Sequence, residues 1–260
     1  MTRRWPLWAL VGLIAAWLVA PTLVVVPLSF TSARSLSFPP QGWSLRWYTN
    51  FFQDGAWIGS LLNSLQLALV VSVVATVLGT LAAYGLSRRK IRGSSGTSAL
   101  LLAPMLIPSV VFGVGTYALF LKLHLVGTFA GFAAAHIALA IPFVMIPVSS
   151  ALVTFDRTME RAARVCGAGR AATFWSVTLP AIAPGVFAGA MFAFVTSFDE
   201  VVVSIFLSSP YLETLPVRMF NSLQREVDPT LAAAATLIIC FTTALIALSL
   251  TTISRRNRVR

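Results

Sequence analysis

The chain has 260 residues, of which 57% are hydrophobic and only 10% charged, and its mean hydropathy is +0.85. Ordinary soluble domains carry roughly 25% charged residues, so an average water-soluble domain is excluded; the wealth of apolar residues excludes a disordered chain as well. Two cysteines, Cys166 and Cys240, are too few for a disulfide framework or a cysteine-based zinc site, and the net charge of +11 must first be weighed against the rule that positive loops stay in the cytoplasm.

A helix that crosses a bilayer needs about 20 consecutive apolar residues. Stretches free of Asp, Glu, Lys and Arg run 5–33, 55–87, 93–121, 123–155, 171–198 and 229–254. They predict six helices, at about 8–30, 59–86, 98–120, 128–152, 182–207 and 230–253. A β-barrel would show short alternating segments instead.

The first helix follows Arg3 and Arg4. It is longer than a signal-peptide core of roughly 7–15 residues and lacks a small-residue cleavage site after it, so it reads as a retained anchor. The loop 31–58 holds Pro39-Pro40, Trp43, Trp47, Tyr48, Phe51, Phe52 and Trp57. Such aromatics suit the headgroup level, and they predict an interfacial helix around Trp43–Phe52 on the outer surface. Gly79, Gly113 and Gly115 in helices two and three are expected at close-packing sites. In helix four, His136 is expected as a hydrogen-bonded interface residue, and Pro142 and Pro147 predict kinks that neighbouring helices can accommodate.

Between helices four and five, the loop 153–181 carries the most distinctive pattern. Asp156 is placed to cap a helix. Met159, Ala162, Ala163 and Cys166 fall at i, i+3, i+4 and i+7, giving one apolar face of mostly small residues. Glu160 and Arg164 form an i,i+4 pair on the flank, and Gly167 and Gly169 end the helix. The apolar face needs a cover, either the protein's own helices, the lipid surface, or a soluble partner.

In helix five, Gly185 and Gly189 make a small-xxx-small pair. Asp199 and Glu200 are the only acidic residues within a predicted span. Ionisable groups there cost at least about 2.5–3.5 kcal/mol and carry a functional reading by default. At 1.5 Å per residue they fall in the outer half of the helix. Adjacent residues point about 100° apart, so one is expected to line a path and the other to pair with a partner helix or the end of a half-helix. The loop 208–229, with Glu213, Arg218, Arg225, Glu226 and Asp228, has mixed charge suited to a soluble protein or to solvent.

Orientation follows from Lys and Arg. With the N-terminus inside, the inner segments hold Arg3 and Arg4; Arg88, Arg89, Lys90 and Arg92; Arg157, Arg161, Arg164 and Arg170; and Arg255, Arg256, Arg258 and Arg260, fourteen in all. The outer segments hold five, namely Arg34, Arg46, Lys122, Arg218 and Arg225. The bias places both termini in the cytoplasm and accounts for most of the positive charge without nucleic acid.

The loop also resembles a known family. Ala162-Ala163, three residues, Gly167, nine residues, Val177, Thr178 and Leu179-Pro180 are similar in spacing to the permease signature of bacterial ABC importers. That signature is Glu-Ala-Ala, three residues, Gly, nine residues, Ile, one residue, Leu-Pro. Arg161 stands where the family has Glu, with Glu160 one residue earlier, and Val177 stands for Ile. Asn63-Ser64-Leu65, Tyr84-Gly85-Leu86-Ser87-Arg88, Pro104, Pro108 and Gly113 look like parts of the same transmembrane domain. Ser197-Phe198-Asp199-Glu200-Val201-Val202-Val203, Leu215-Pro216 and Asp228-Pro229 resemble the spermidine/putrescine permease branch, which also serves iron, opine and aminophosphonate uptake.

The resemblance implies an all-α integral membrane protein with six transmembrane helices in the type I ABC importer permease fold, its termini cytoplasmic, in a bacterial inner membrane. It implies three regions: 1–54, the first helix and outer aromatic loop; 55–255, the permease domain; and 256–260, a basic tail. Met159, Glu160, Arg161, Ala162, Ala163, Arg164, Gly167, Leu179 and Pro180 would couple to an ATPase, with Glu160 supplying the missing carboxylate; Asp199 and Glu200 are candidates for the substrate path. The chain contains no phosphate-cradling Gly-x-x-x-x-Gly-Lys-Ser/Thr, so it is not expected to be an enzyme or to hold a cofactor, and ATP and Mg belong to the partner. The expected partners are a second, related permease, two cytoplasmic ATPases, an outer substrate-binding protein and lipid. Import by alternating access of a small organic cation follows; a proton-coupled secondary transporter using Asp199 and Glu200 is the competing class.

Overall fold

The computed structural model describes residues 5–88, 94–225 and 228–258. It divides into two compact units, one of residues 1–59 and 218–260, the other Ser60–Val217.

The first unit holds α1 (Trp5–Leu28), α2 (Arg46–Gln53) and α12 (Thr230–Arg258). Leu7–Leu28 is long and apolar enough to cross a membrane, and none of it is buried against protein. A helix that is apolar all round and exposed over most of its length suits hydrocarbon as its solvent. Past α1 the chain folds back: Trp47 Nε1 donates to the carbonyl of Thr31 (2.8 Å), and the hydroxyls of Ser29 and Tyr48 are 2.7 Å apart. The expected interfacial helix exists as α2, but its aromatics are divided. Trp47, Phe51 and Trp57 are buried, whereas Trp43 and Phe52 are exposed. Only part of the cluster therefore faces outward, and the rest is core. Asn50 Nδ2 donates to Thr230 Oγ1 (2.8 Å), tying α2 to the start of α12, which the Asp228 carboxylate caps by accepting from Thr230 N (3.0 Å). Of α12, Thr230–Ala244 is an apolar helix shorter than a span, so the sixth predicted span, 230–253, is not among those that pass over the described residues.

The second unit is built on α6 (Phe129–Thr154), whose Ala140, Val144 and Val148 are inaccessible to solvent. Around it lie α3 (Gly55–Arg88), α4 (Ser94–Leu106), α5 (Ser109–Lys122) and the helical run from Arg170 to Phe198. Glycines set the approach. A methyl group at Gly189 would lie 3.0 Å from Val144 Cα, one at Gly185 2.8 Å from the Pro147 carbonyl, and one at Gly79 2.8 Å from Val144 Cβ. Gly113 makes room for the Phe206 ring, whereas Gly115 faces open space. Pro142 and Pro147 sit within one continuous α6.

Two predicted spans differ from expectation. The third, 98–120, is broken into α4 and α5, which meet at 102°. Pro108 lacks an N–H and drives Ile107 away from helical backbone, and neither piece, at 13 and 14 residues, reaches across roughly 30 Å of hydrocarbon alone. The fifth, 182–207, begins earlier, at Arg170, and stops at Phe198; α10 (Val202–Leu207) resumes after an interruption at Asp199–Val201. Among the described residues four helices thus pass as spans, or five if the α4–α5 pair counts as one. Of the basic residues used for orientation, Arg3, Arg4, Arg89, Lys90, Arg92 and Arg260 lie outside the described residues, as does Glu226 of the outer loop.

Candidate functional site

The loop after α6 folds into α7 (Thr158–Val165). The Asp156 carboxylate starts it, accepting from the Thr158 amide (2.8 Å) and hydroxyl (2.6 Å). The Thr158 hydroxyl, then its amide, hold the Asp156 carboxyl below the ordinary 3.8. Gly167 stops the helix at φ +88°. There its N–H bonds the carbonyl of Arg164 and that of Ala168 bonds Ala163 (both 3.0 Å), a Schellman closure that favours glycine at this left-handed position.

Which face of α7 is buried reverses the sequence reading. Glu160, expected on a solvated flank and available to a partner, is 1% exposed. Its Oε1 pairs with Arg88 at the end of α3 and accepts from the Thr178 hydroxyl, and its Oε2 lies 3.5 Å from Arg164. Three residues before Glu160, Arg157 donates to the carbonyl of Ser87 (2.7 Å). The apolar side stays uncovered by the described chain: Met159 is 51% and Val165 88% exposed, Ala162, Cys166 and Arg161 are exposed, and only Ala163 is half-buried. Glu160 is thus turned into the protein and is not on the open face of α7.

Thr178 reaches Glu160 from a π-helical turn, Phe174–Thr178, between the short helix α8 (Arg170–Thr173) and α9 (Leu179–Phe198). Pro180 has no N–H for the carbonyl of Ser176, so the α pattern cannot pass through it. The Leu179 N–H instead bonds Phe174, as π turns do. Leu179 is half-buried and Pro180 exposed. Phe174 packs on Tyr84, ring centroids 4.8 Å apart, and the Arg88 guanidinium lies 4.8 Å from the Tyr84 ring centre.

At the other end of α9, Asp199 and Glu200 occupy the interruption and not the body of a helix. Asp199 is exposed and closes α9; Glu200 Oε1 accepts from the Val203 N–H (2.9 Å), which caps α10. Helix propensity gives no warning of the interruption. The residue that signals it is His136. It is 1% exposed, with Nδ1 3.0 Å from the Ser197 hydroxyl on α9 and Nε2 3.1 Å from the Ser204 hydroxyl on α10. One imidazole on α6 therefore spans the break, as its expected role as an interface residue requires.

A family described as "Binding-protein-dependent transport system inner membrane component" matches residues 75–259. The chain is 35% identical over 241 residues, 89% of its length and 85% of the relative's, to the putrescine transport system permease protein PotI of Escherichia coli (strain K12). It is 33% identical over 250 residues, 96% of both chains, to the spermidine/putrescine transport system permease protein PotC of Haemophilus influenzae. Among solved structures, a bacterial alginate ABC transporter in complex with an alginate pentasaccharide-bound periplasmic protein superposes with a TM-score of 0.72 at 17% identity, covering 98% of this chain and 95% of the other. At that identity the likeness concerns the fold alone.

Proposed function

The chain belongs to the family of binding-protein-dependent transport system inner membrane components, and we propose that within it this subunit imports a small organic cation of the putrescine or spermidine kind. Membership makes it a multi-span inner-membrane permease of an ABC importer, not itself catalytic, that works with an ATPase and a binding protein. The observation that carries the cargo is the identity to polyamine permeases over nearly the full length of both chains.

The finer mechanism rests on the site. A topology of six spans, with the α4–α5 pair and α12 each counted as one and both termini inside, would put α7 in the cytoplasm, within a permease domain covering 55–255, and its open face of Met159, Ala162 and Val165 suits an ATPase surface. Arg161 and Arg164 would meet that surface's carboxylates, while Gly167 and Leu179-Pro180 hold the shape. ATP and Mg act in the ATPase. Pushing on α7 pulls α3 through Arg88 and α9 through Thr178, and alternating access follows. Asp199, with its carboxylate uncommitted among the described residues, is the better path candidate; that of Glu200 is engaged at α10. A second, unlike permease completes the pathway.

Proteoliposomes containing the purified importer test this. ATP-dependent accumulation of labelled putrescine or spermidine, undiminished when the proton gradient is collapsed, is expected. Accumulation of an aminophosphonate, an opine or iron in its place overturns the cargo, and uptake that follows the gradient and ignores ATP overturns the mechanism.

A further inference from the structure

Beside α7 lies a cavity of about 1010 Å³ that cargo transfer does not use and of whose lining only Arg161 and Arg164 are given to the ATPase above. Five arginines line it, Arg88, Arg157, Arg161, Arg164 and Arg170, around the single carboxylate of Glu160. That carboxylate is consumed by Arg88 and Arg164. Arg157, Arg161 and Arg170 join no ion pair among the described residues, although Arg157 gives one donor to the Ser87 carbonyl and keeps its charge, and Arg161 lies in the field of Asp156. Arg88 Nε, shut off from solvent, has no hydrogen-bond partner. The wall thus presents an excess of guanidinium donors and asks for an anion with several acceptor oxygens.

The rest of the wall is apolar: Leu81, Tyr84, Phe174 and Trp175. Leu81 and Trp175 are exposed, Trp175 by 67%. The two parts follow one another along the helices that carry them. Arg88 ends the Gly55–Arg88 span and Arg170 begins the Arg170–Phe198 span. Leu81 and Trp175 lie seven and five residues further in, a depth of roughly 8–10 Å. A cationic mouth with an aromatic and aliphatic floor at that depth has the polarity profile of a phospholipid, and an exposed Trp fits the headgroup level.

We propose that this cavity binds an anionic phospholipid, its phosphate held by Arg157 and Arg170 with Arg88 behind them, and its glycerol and first methylenes lying on Leu81, Tyr84, Phe174 and Trp175. Basic pockets between membrane helices at the cytoplasmic face take such headgroups. An acidic protein segment matches the arginines but leaves the hydrocarbon wall at membrane depth uncovered. The assignment rests on the topology proposed above, in which α7 is cytoplasmic.

The test is native mass spectrometry of the intact importer in detergent, mixed with equal parts of phosphatidylglycerol and phosphatidylcholine. Preferential retention of phosphatidylglycerol on this subunit is expected. The double variant Arg157→Gln/Arg170→Gln lowers that retention roughly thirtyfold, from the usual contribution per basic residue, and Trp175→Ala, which leaves every charge in place, lowers it as well. Equal retention of the two lipids overturns the proposal, as does unchanged retention in both variants. Displacement of the lipid by millimolar inorganic phosphate would identify a free-phosphate site, and loss of the ATPase from the double variant with lipid retention intact would identify a protein contact; either overturns it. Labelling of Cys166, which is exposed, by a membrane-impermeant maleimide in a Cys240→Ser background tests the topology separately. Labelling from the outer side would sink that reading while the lipid measurement still stood.

Discussion

Arg88 closes α3 and Glu160 lies in the first turn of α7, 72 positions later, yet the two form an ion pair whose carboxylate is almost wholly withdrawn from water. The first prediction comes from this pair. Glu160→Ala leaves Arg88 without its counter-charge and Thr178 without an acceptor. Removing one partner of a buried pair costs about 3–5 kcal/mol, and the partial exposure of Arg88 puts this case near 3. The purified importer should lose thermal stability, and binding-protein-stimulated ATPase activity should fall. Glu160→Gln keeps an acceptor for Thr178 and should fall between the two. Wild-type melting in Glu160→Ala would refute the pairing.

His136 gives the second. His136→Ala strands two buried hydroxyls, at about 1–3 kcal/mol each. His136→Phe together with Ser197→Ala and Ser204→Ala removes donors and acceptors alike, and should melt above His136→Ala. The reverse order would mean that the imidazole does not hold α9 and α10 together.

The glycines of α9 give the third. At Gly189 an added side chain meets Val144 Cα, and at Gly185 the Pro147 carbonyl; neither atom can yield without moving α6. Gly189→Val should cost about 1–3 kcal/mol or more, read as loss of folded subunit in the membrane fraction. Gly115→Ala on the open side of α5 should be neutral or stabilising by about 0.5–1 kcal/mol.

Gly167 separates shape from space. No atom lies within 4 Å of a Cβ there, yet φ is +88°. Gly167→Ala should therefore cost only the left-handed backbone term, about 1–2 kcal/mol, and Gly167→Asn less. If Gly167→Ala uncouples ATP hydrolysis from uptake while the protein stays folded, the end of α7 must keep its turn for transport.

Acid acts through Asp156. Its carboxyl is held below 3.8, first by the Thr158 hydroxyl, so the folded form binds its proton less readily than the unfolded form. The stabilisation is complete above the unfolded value and is lost as pH falls through the folded one. Amide exchange at Thr158, corrected for its intrinsic rate, should stay protected near neutrality and lose protection below pH 3.8. Asp156→Asn should remove that acid step.

Much of this architecture is legible in residue order, because long apolar runs leave a chain little choice in lipid. The α7 segment is legible for a different reason, its cap, periodicity and terminal glycine agreeing. The interruptions are less so. Pro108 breaks a span, while Pro142 and Pro147 do not, and the difference lies in packing: α6 is held by neighbours on several sides. Asp199 and Glu200 read as charges within a helix because the apolar residues resume after them; the gap shows only in the structure, where one His136 imidazole reaches both Ser197 and Ser204. Glu160 misleads most, since an i,i+4 partner at Arg164 suggests a wet surface, and its deeper partners, Arg88 and Thr178, are distant in sequence.

Arg157 holds Ser87 and Glu160 holds Arg88, so α7 grips two successive residues at the tip of α3. One such bond would act as a pivot, about which the short helix could swivel and waste an applied force. A pair acts as a clamp that carries torque, and any load placed on α7 must tilt the long helix bodily.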